Sequence, residues 1–251
     1  MLNPSFMTVS LNLLESFGQN LLLFFSTLVL ALPLGLLICF GSMSKLRPFG
    51  FILKLDIAHI SESSEKAGLL TKIALAVGNF KPIAAISRLV VWVIRGTPLL
   101  LQLYVVFYVP GLVFDMPIRK RMIAALIAFV INYAAYFSEI YRGGIESMAR
   151  GQYEAAQVLG MTKSQVFFKV ILMQVVKRII PPMSNEIITL VKDTSLARVI
   201  AVPEILKAAE RYSSDGLVWP LFYSGLFFLL FNGIVTIVLE KVEKAFGYYR
   251  S

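Results

Sequence analysis

Three uncharged, mainly apolar runs constrain this chain more than anything else in it: Leu21–Phe40, Gly96–Phe114 and Leu217–Leu239, of 20, 19 and 23 residues. Crossing a hydrocarbon core of about 30 Å as a helix takes roughly 20 apolar residues, so each run is long enough. Met122–Tyr141 is a fourth such run, interrupted only by Glu139. In lipid every backbone polar group must find its partner inside the chain, which favours helices. Composition points the same way: 16% of residues are charged, where soluble domains average about 25%. The chain is read as an all-α polytopic membrane protein.

Several functions fall away at once. Cys39 is the one cysteine and lies inside the first apolar run, so neither a disulfide framework nor a thiol metal site can be assembled. His59, the one histidine, stands in a polar stretch without a neighbouring ligand and reads as a surface residue. No catalytic or metal site is expected. The net charge of +9 is scattered between apolar spans, as in loops beside anionic headgroups, and does not indicate nucleic acid. The first 20 residues hold no Lys or Arg, so the first apolar run is expected to stay as a membrane helix rather than be cleaved as a signal peptide.

The apolar pattern predicts spans over about 20–41, 83–110, 121–141, 174–192 and 217–239, together a transmembrane domain over 20–239. Residues 1–19 are mildly amphipathic and read as a separate interfacial segment, and 240–251 form a charged tail. The fourth span is the weakest, broken up by Lys177, Arg178, Pro181, Pro182 and Glu186. With five spans and the N-terminus outside, the inner segments hold fifteen Lys and Arg and the outer ones seven. That bias places the C-terminus in the cytoplasm. The cluster Arg119-Lys120-Arg121 lies on the outer side against the trend.

Between the third and fourth spans, Gly151-Gln152-Tyr153-Glu154-Ala155-Ala156-Gln157-Val158-Leu159-Gly160 runs through strong helix formers to a glycine. Gly160 suits the left-handed position that ends a helix. Thr162 and Gln165 are spaced as a capping box that opens another. Helix, sharp turn, helix is the expected form, at the membrane's inner face.

Glu154-Ala155-Ala156, followed at fixed spacing by Gly160, Val170 and Leu172, resembles the EAA loop of permease subunits from bacterial ABC importers. The register departs at Val170, where isoleucine is usual, and at Met173, where proline is usual. Arg95-Gly96-Thr97-Pro98-Leu99-Leu100-Leu101-Gln102-Leu103, Ala135–Ile145, Ser184-Asn185-Glu186 and Lys192-Asp193-Thr194-Ser195-Leu196 are similar, in the same order, to blocks of the polar amino-acid uptake family. Segment 42–82 is longer than that family's usual first inner loop.

The resemblance implies a type I ABC importer permease of about five membrane helices in the bacterial cell membrane. Its partners would be ABC ATPase subunits, a second permease subunit (identical or a paralogue), an extracellular or periplasmic solute-binding protein, and a polar amino acid as cargo. The chain has no Gly-x-x-x-x-Gly-Lys-Ser/Thr phosphate loop, so it carries no cofactor. ATP and Mg²⁺ would sit in the partner ATPase. The loop at about 142–173 would dock on that ATPase through Gly151, Glu154, Ala155, Ala156 and Gly160. In this scheme Glu154 offers charge, the two alanines close approach, and Gly160 the angle between helices.

Polar residues inside spans are costly and often functional. Gln102, Asn132, Asn185 and Glu186, with the turn Lys192, Asp193, Thr194 and Ser195, are the candidates for a substrate path. Thr194 and Ser195 are expected to donate hydrogen bonds to a substrate carboxylate, with Gln102 facing the group. Gln102 and Asn132 equally suit hydrogen bonds across helices, and Glu186 equally suits a packing contact with a basic residue. Glu139, three residues before Arg142, suits a local ion pair. The competing function is a stand-alone secondary amino-acid transporter, for which inverted repeats would be expected. A membrane enzyme lacks its catalytic constellation.

Overall fold

A computed structural model of the protein describes residues 5–48 and 77–247. His59 and most of segment 42–82 lie outside the described residues, as do the last four residues of the tail. The main helices are α1 (Phe6–Ser42), α2 (Pro82–Arg95), α3 (Leu99–Phe114), α4 (Arg121–Glu146), α5 (Arg150–Val158), α6 (Leu172–Asp193), α7 (Ile205–Ser214) and α8 (Trp219–Gly247), with no strand among the described residues. Among the described residues α1, α4 and α8 are long and apolar enough to cross a membrane, and the bent pair α2–α3 makes a fourth if it is one broken span.

Within the predicted segment 1–19, the described residues from Ser5 on do not stand apart from the first span. From Phe6 onward they belong to one 37-residue helix that continues through Ser42. Its first residue is set by Ser5, whose Oγ accepts from the Thr8 amide at 3.2 Å. The amphipathic face seen in the sequence is real but internal. Val9, Leu13 and Phe17 are buried against Ile205, Ala209 and Tyr212 of α7, and that packing keeps the helix running rather than letting it lie on an interface.

The second predicted span, 83–110, is not one straight helix. It breaks between Arg95 and Leu99, and the two halves meet at 106°. Pro98 has no amide hydrogen and bars its predecessor from helical geometry, so Gly96-Thr97-Pro98 is a break written in the sequence. Over the predicted fourth span the chain is helical as α6, which accepts Pro181 and Pro182 in its interior, but it is not among the helices apolar enough to cross a membrane by length and composition. The tail is helical to Gly247.

Small residues set the central contact. α1 and α4 run side by side with Gly35 against the backbone of Ala134 and Ser138 and the Phe137 side chain, while Ala31 of α1 and Ala124, Ala125, Ala128 and Ala134 of α4 are buried in one cluster. Close backbone approach of this kind drives helix association where water supplies no hydrophobic force. α8 runs parallel to α1, with Trp219 on Phe6, Phe228 on Phe17 and Phe231 on Phe24 at ring separations of 4.9, 5.8 and 5.3 Å.

These directions define two ends. α4, 26 residues long, spans about 39 Å at 1.5 Å per residue. Its start therefore lies at one end of the bundle, and α5, which follows its end, at the other. The start of α1, α7 and the start of α8 share the end opposite α5.

Candidate functional site

The segment from Arg150 to Gln165 forms a closed hairpin. α5 ends at Gly160, whose φ is +70°. The Gly160 amide donates to the Gln157 carbonyl at 2.9 Å and the Met161 amide to the Ala156 carbonyl at 3.1 Å. This pair of bonds is the Schellman closure, and Met161 packs in the cluster that also buries Ala156. Thr162 then opens the next helix. Its Oγ1 accepts from the Gln165 amide at 3.3 Å, and Gln165 Oε1 accepts from the Thr162 amide at 2.9 Å. Both local signals read from the sequence are present.

The hairpin is welded to the spans beside it. Met148, Ala156, Val166, Ile171 and Val175 form one buried cluster. Arg178 of α6 donates to Ser147 Oγ at 2.9 Å, joining both arms at their base. No proline bends the chain at Met173. Instead, Val166–Ile171 is wound as a π-helix that passes directly into α6.

Of the five residues assigned to coupling, Gly151, Glu154, Ala155 and Gly160 are exposed, whereas Ala156 is turned inward. Ala156 therefore serves the hairpin's own packing. The apolar tip is made by residues the sequence reading passed over: Val158 and Leu159 are 88% and 78% exposed. Two aliphatic side chains standing this free on a polar hairpin mark a surface built to be covered.

The path candidates divide into two groups. Gln102 and Asn132 are buried and fully engaged. Gln102 Nε2 donates to the carbonyls of Ile94 and Thr97 at 2.8 and 3.1 Å, and its Oε1 accepts from Asn132 Nδ2 at 3.0 Å. Gln102 thus satisfies the Thr97 carbonyl at the α2–α3 break, adds to the bonds that Thr97 already makes to the Ile94 carbonyl, and ties the break to α4. It does not face the α6 cluster as expected, because its amide is consumed locally. Gln102→Leu strands the Thr97 carbonyl and the Asn132 amide, each costing about 1–3 kcal/mol. A lower melting temperature of the purified assembly, with Asn132→Leu giving no further loss in the double variant, is the expected result.

Thr194 and Ser195 also differ from expectation. Their hydroxyls donate to the carbonyls of Val191 and Lys192, each at 2.8 Å, as residues at a helix end commonly do. Neither hydroxyl proton is left for a substrate. Thr194 is buried, and Asp193 accepts from Tyr133 Oη at 2.7 Å. Asn185 and Lys192 are exposed, while Glu186 is partly buried and makes no hydrogen bond or ion pair among the described residues. Arg95 and Asp193 are the charges that act on Glu186.

A second charged group was missed. Glu139 and Arg142 form the expected pair, with Arg142 Nε on Glu139 Oε1 at 3.0 Å. Arg142 also reaches Glu146 at 2.6 Å, and Arg95 Nη1 lies 3.6 Å from Glu139 Oε2 and 5.2 Å over the Tyr136 ring. The α2 break therefore presents Arg95 toward α4. The sequence signal was available: an arginine beside Gly-x-Pro in mid-span has few neutral explanations. Among the described residues no group of three or more His, Cys, Asp or Glu is arranged to hold a metal.

Residues 68–248 match the family model described as "Binding-protein-dependent transport system inner membrane component". The L-cystine transport system permease protein TcyB of Bacillus subtilis (strain 168) is 41% identical over 150 residues, which are 59% of this chain and 62% of that protein, so the match spans about three fifths of the relative. The probable amino-acid permease protein YxeN of the same organism is 31% identical over 223 residues, covering 88% and 90% of the two chains. Among solved structures, the crystal structure of an amino acid ABC transporter with histidines superposes with a TM-score of 0.76 at 25% identity, covering 97% of this chain and 100% of that one.

Proposed function

The chain belongs to the family of binding-protein-dependent transport system inner membrane components, and from that premise we propose that it carries a polar amino acid inward through the plasma membrane, as one of two permease subunits. It is a multi-pass transport subunit rather than an enzyme. Its partners are a separate ATPase and a solute-binding protein, and ATP and Mg²⁺ belong to that ATPase. The relatives named for L-cystine and for amino acids support the substrate class.

The observation that carries the coupling role is the hairpin. Its exposed tip at Val158 and Leu159 is joined to α6 through Arg178 and the buried cluster around Ala156. A force applied at the tip reaches α6 without passing through a flexible loop, and rigid-body transitions require that continuity. The hairpin end faces the cytoplasm, with the N-terminus outside and the tail inside. The excess of Lys and Arg on the hairpin side supports this sidedness.

Along α6, Glu186 is the path residue with a free carboxylate, flanked by Asn185, Lys192 and Asp193 and approached by Arg95. A zwitterion leaving water needs both of its charges compensated. Glu186 meets the ammonium or a cationic side chain, and Arg95 the carboxylate. Tyr133 holds Asp193 in place.

Reconstitution in proteoliposomes with the ATPase and binding protein tests both claims. Uptake of a labelled polar amino acid should require ATP; uptake that persists without ATP would instead make the chain a secondary transporter. In Glu186→Gln, cationic substrates are expected to lose at least ten-fold, neutral ones less than three-fold, with basal ATP hydrolysis unchanged. Equal losses together with altered basal hydrolysis would make Glu186 a gate rather than a substrate contact.

A further inference from the structure

At the end opposite the hairpin lies a closed polar knot that neither the path nor the coupling hairpin uses. Glu204, 1% exposed, is the N-cap of α7. Its Oε1 accepts from the Lys207 amide at 2.6 Å and its Oε2 from the Leu206 amide at 3.1 Å. Asn20 of α1, also buried, donates from Nδ2 both to Glu204 Oε2 and to Thr194 Oγ1, each at 3.1 Å, while its Oδ1 accepts from the Ile205 amide at 3.1 Å. Three elements meet here, and every donor and acceptor named is used.

Burial pushes the Glu204 carboxyl above its ordinary range, opposed by the Leu206 amide, Asn20, the Lys207 amide and the nearby Arg198. A carboxyl group is a costly choice for a buried cap that the neutral Ser or Asn fills elsewhere. Its length is what lets it cap α7 and still reach α1. Thr194 follows Asp193 directly, so the knot also fixes the end of α6 where the path residues Lys192 and Asp193 stand.

We infer that Asn20, Glu204 and Thr194 are positioning residues forming the fixed pivot of α6 during transport. The hairpin moves one end of α6, and the knot holds the other end to α1 and α7. Displacement at the hairpin then becomes a swing that opens and closes the path around Glu186, instead of a slide of the whole helix. This rests on the transport reading given above. Bonded networks satisfied at every atom move as units, and no other polar contact among the described residues joins α1 to the turn after α6.

The test exchanges the partners. Asn20→Asp alone sets a carboxylate against Glu204. Glu204→Gln alone turns an amide toward Asn20 Nδ2 or toward a backbone amide, losing an acceptor. In the double variant Asn20→Asp/Glu204→Gln the amide introduced on α7 donates to the carboxylate introduced on α1. That carboxylate still accepts from the Ile205 amide and can accept from the Thr194 hydroxyl, and the oxygen of the introduced amide still accepts from the Lys207 amide, so that the Leu206 amide bond is the one that is not restored. The readout is amino acid imported per ATP hydrolysed by the reconstituted importer, with the amount of assembled complex measured alongside. Each single variant is expected to lower that ratio at least ten-fold while assembly and basal hydrolysis stay within two-fold. The double variant should recover to within three-fold of wild type.

A purely structural knot would reduce assembly, uptake and hydrolysis together and leave the ratio unchanged, which overturns the proposal. A double variant as impaired as the two single losses multiplied also overturns it, since independent sites add in free energy. ATP-dependent import by the wild-type importer is the control that separates failure of the pivot from failure of the transport reading.

Discussion

Gly160→Val is expected to insert, assemble and import at less than one tenth of the wild-type rate. The φ of +70° at Gly160 is the reason. A β-branched side chain there is disfavoured by about 1–2 kcal/mol for the left-handed backbone alone, with a further penalty for branching. A Cβ at Gly160 meets nothing within 4 Å, so the effect comes from the backbone and not from a clash. Loss of the left-handed residue opens the two Schellman bonds and changes the angle between α5 and the helix opened by Thr162. Uptake and binding-protein-stimulated hydrolysis in proteoliposomes check this, with the inserted amount measured by membrane fractionation. Wild-type import by Gly160→Val would remove the hairpin from the coupling mechanism.

Gly35→Val acts earlier, on folding itself. A Cβ at Gly35 would lie 2.9 Å from the Ala134 carbonyl oxygen and 2.9 Å from Phe137 Cβ. The first of these is backbone in the middle of α4, so α1 and α4 must separate. Overpacking a filled interface typically costs about 1–3 kcal/mol, and here the displaced surface is the main helix contact of the bundle. Folded chain recovered from membranes should fall below one tenth of wild type. Gly143→Ala, where an added Cβ meets nothing within 4 Å, is the matched control and should leave recovery within two-fold. A normal yield of Gly35→Val would mean that α1 and α4 are not in direct backbone contact.

The parts of this architecture that could be read from the sequence are those whose cause is local. Gly160 and the Thr162–Gln165 box involve bonds across three to five residues, and both were anticipated in type and position. Membrane crossing was legible because lipid imposes a length on apolar runs. That Gln102 and Asn132 bond across helices was one of the two readings open to the sequence, and it is the one seen, but the bond of Gln102 back over eight residues to the Ile94 carbonyl was not legible. Asn20 and Glu204 are 184 residues apart, and nothing near either residue announces the other. A clue existed in Pro203-Glu204 ahead of the amphipathic stretch of α7, which is where an N-cap belongs. The continuity of α1 escaped because hydropathy marks where a helix enters apolar surroundings, not where the helix begins. The hydroxyls of Thr194 and Ser195 were misassigned for a related reason: a helix end supplies carbonyl acceptors nearer than any substrate.

The π-wound turn at Val166–Ile171 has a bearing on how this chain tolerates change in length. A π turn closes on i→i+5 bonds and so stores one residue more than the α-helix on either side. Deleting one residue there lets the segment rewind as ordinary helix, keeping α6 anchored among the spans while the hairpin shifts in azimuth by up to about 100°, one residue's share of a 3.6-residue turn. The same deletion inside α6 would rotate the path residues away from α4. Insertions and deletions across relatives should therefore concentrate at this turn, which works as a phase adjuster between the hairpin and the helix bundle.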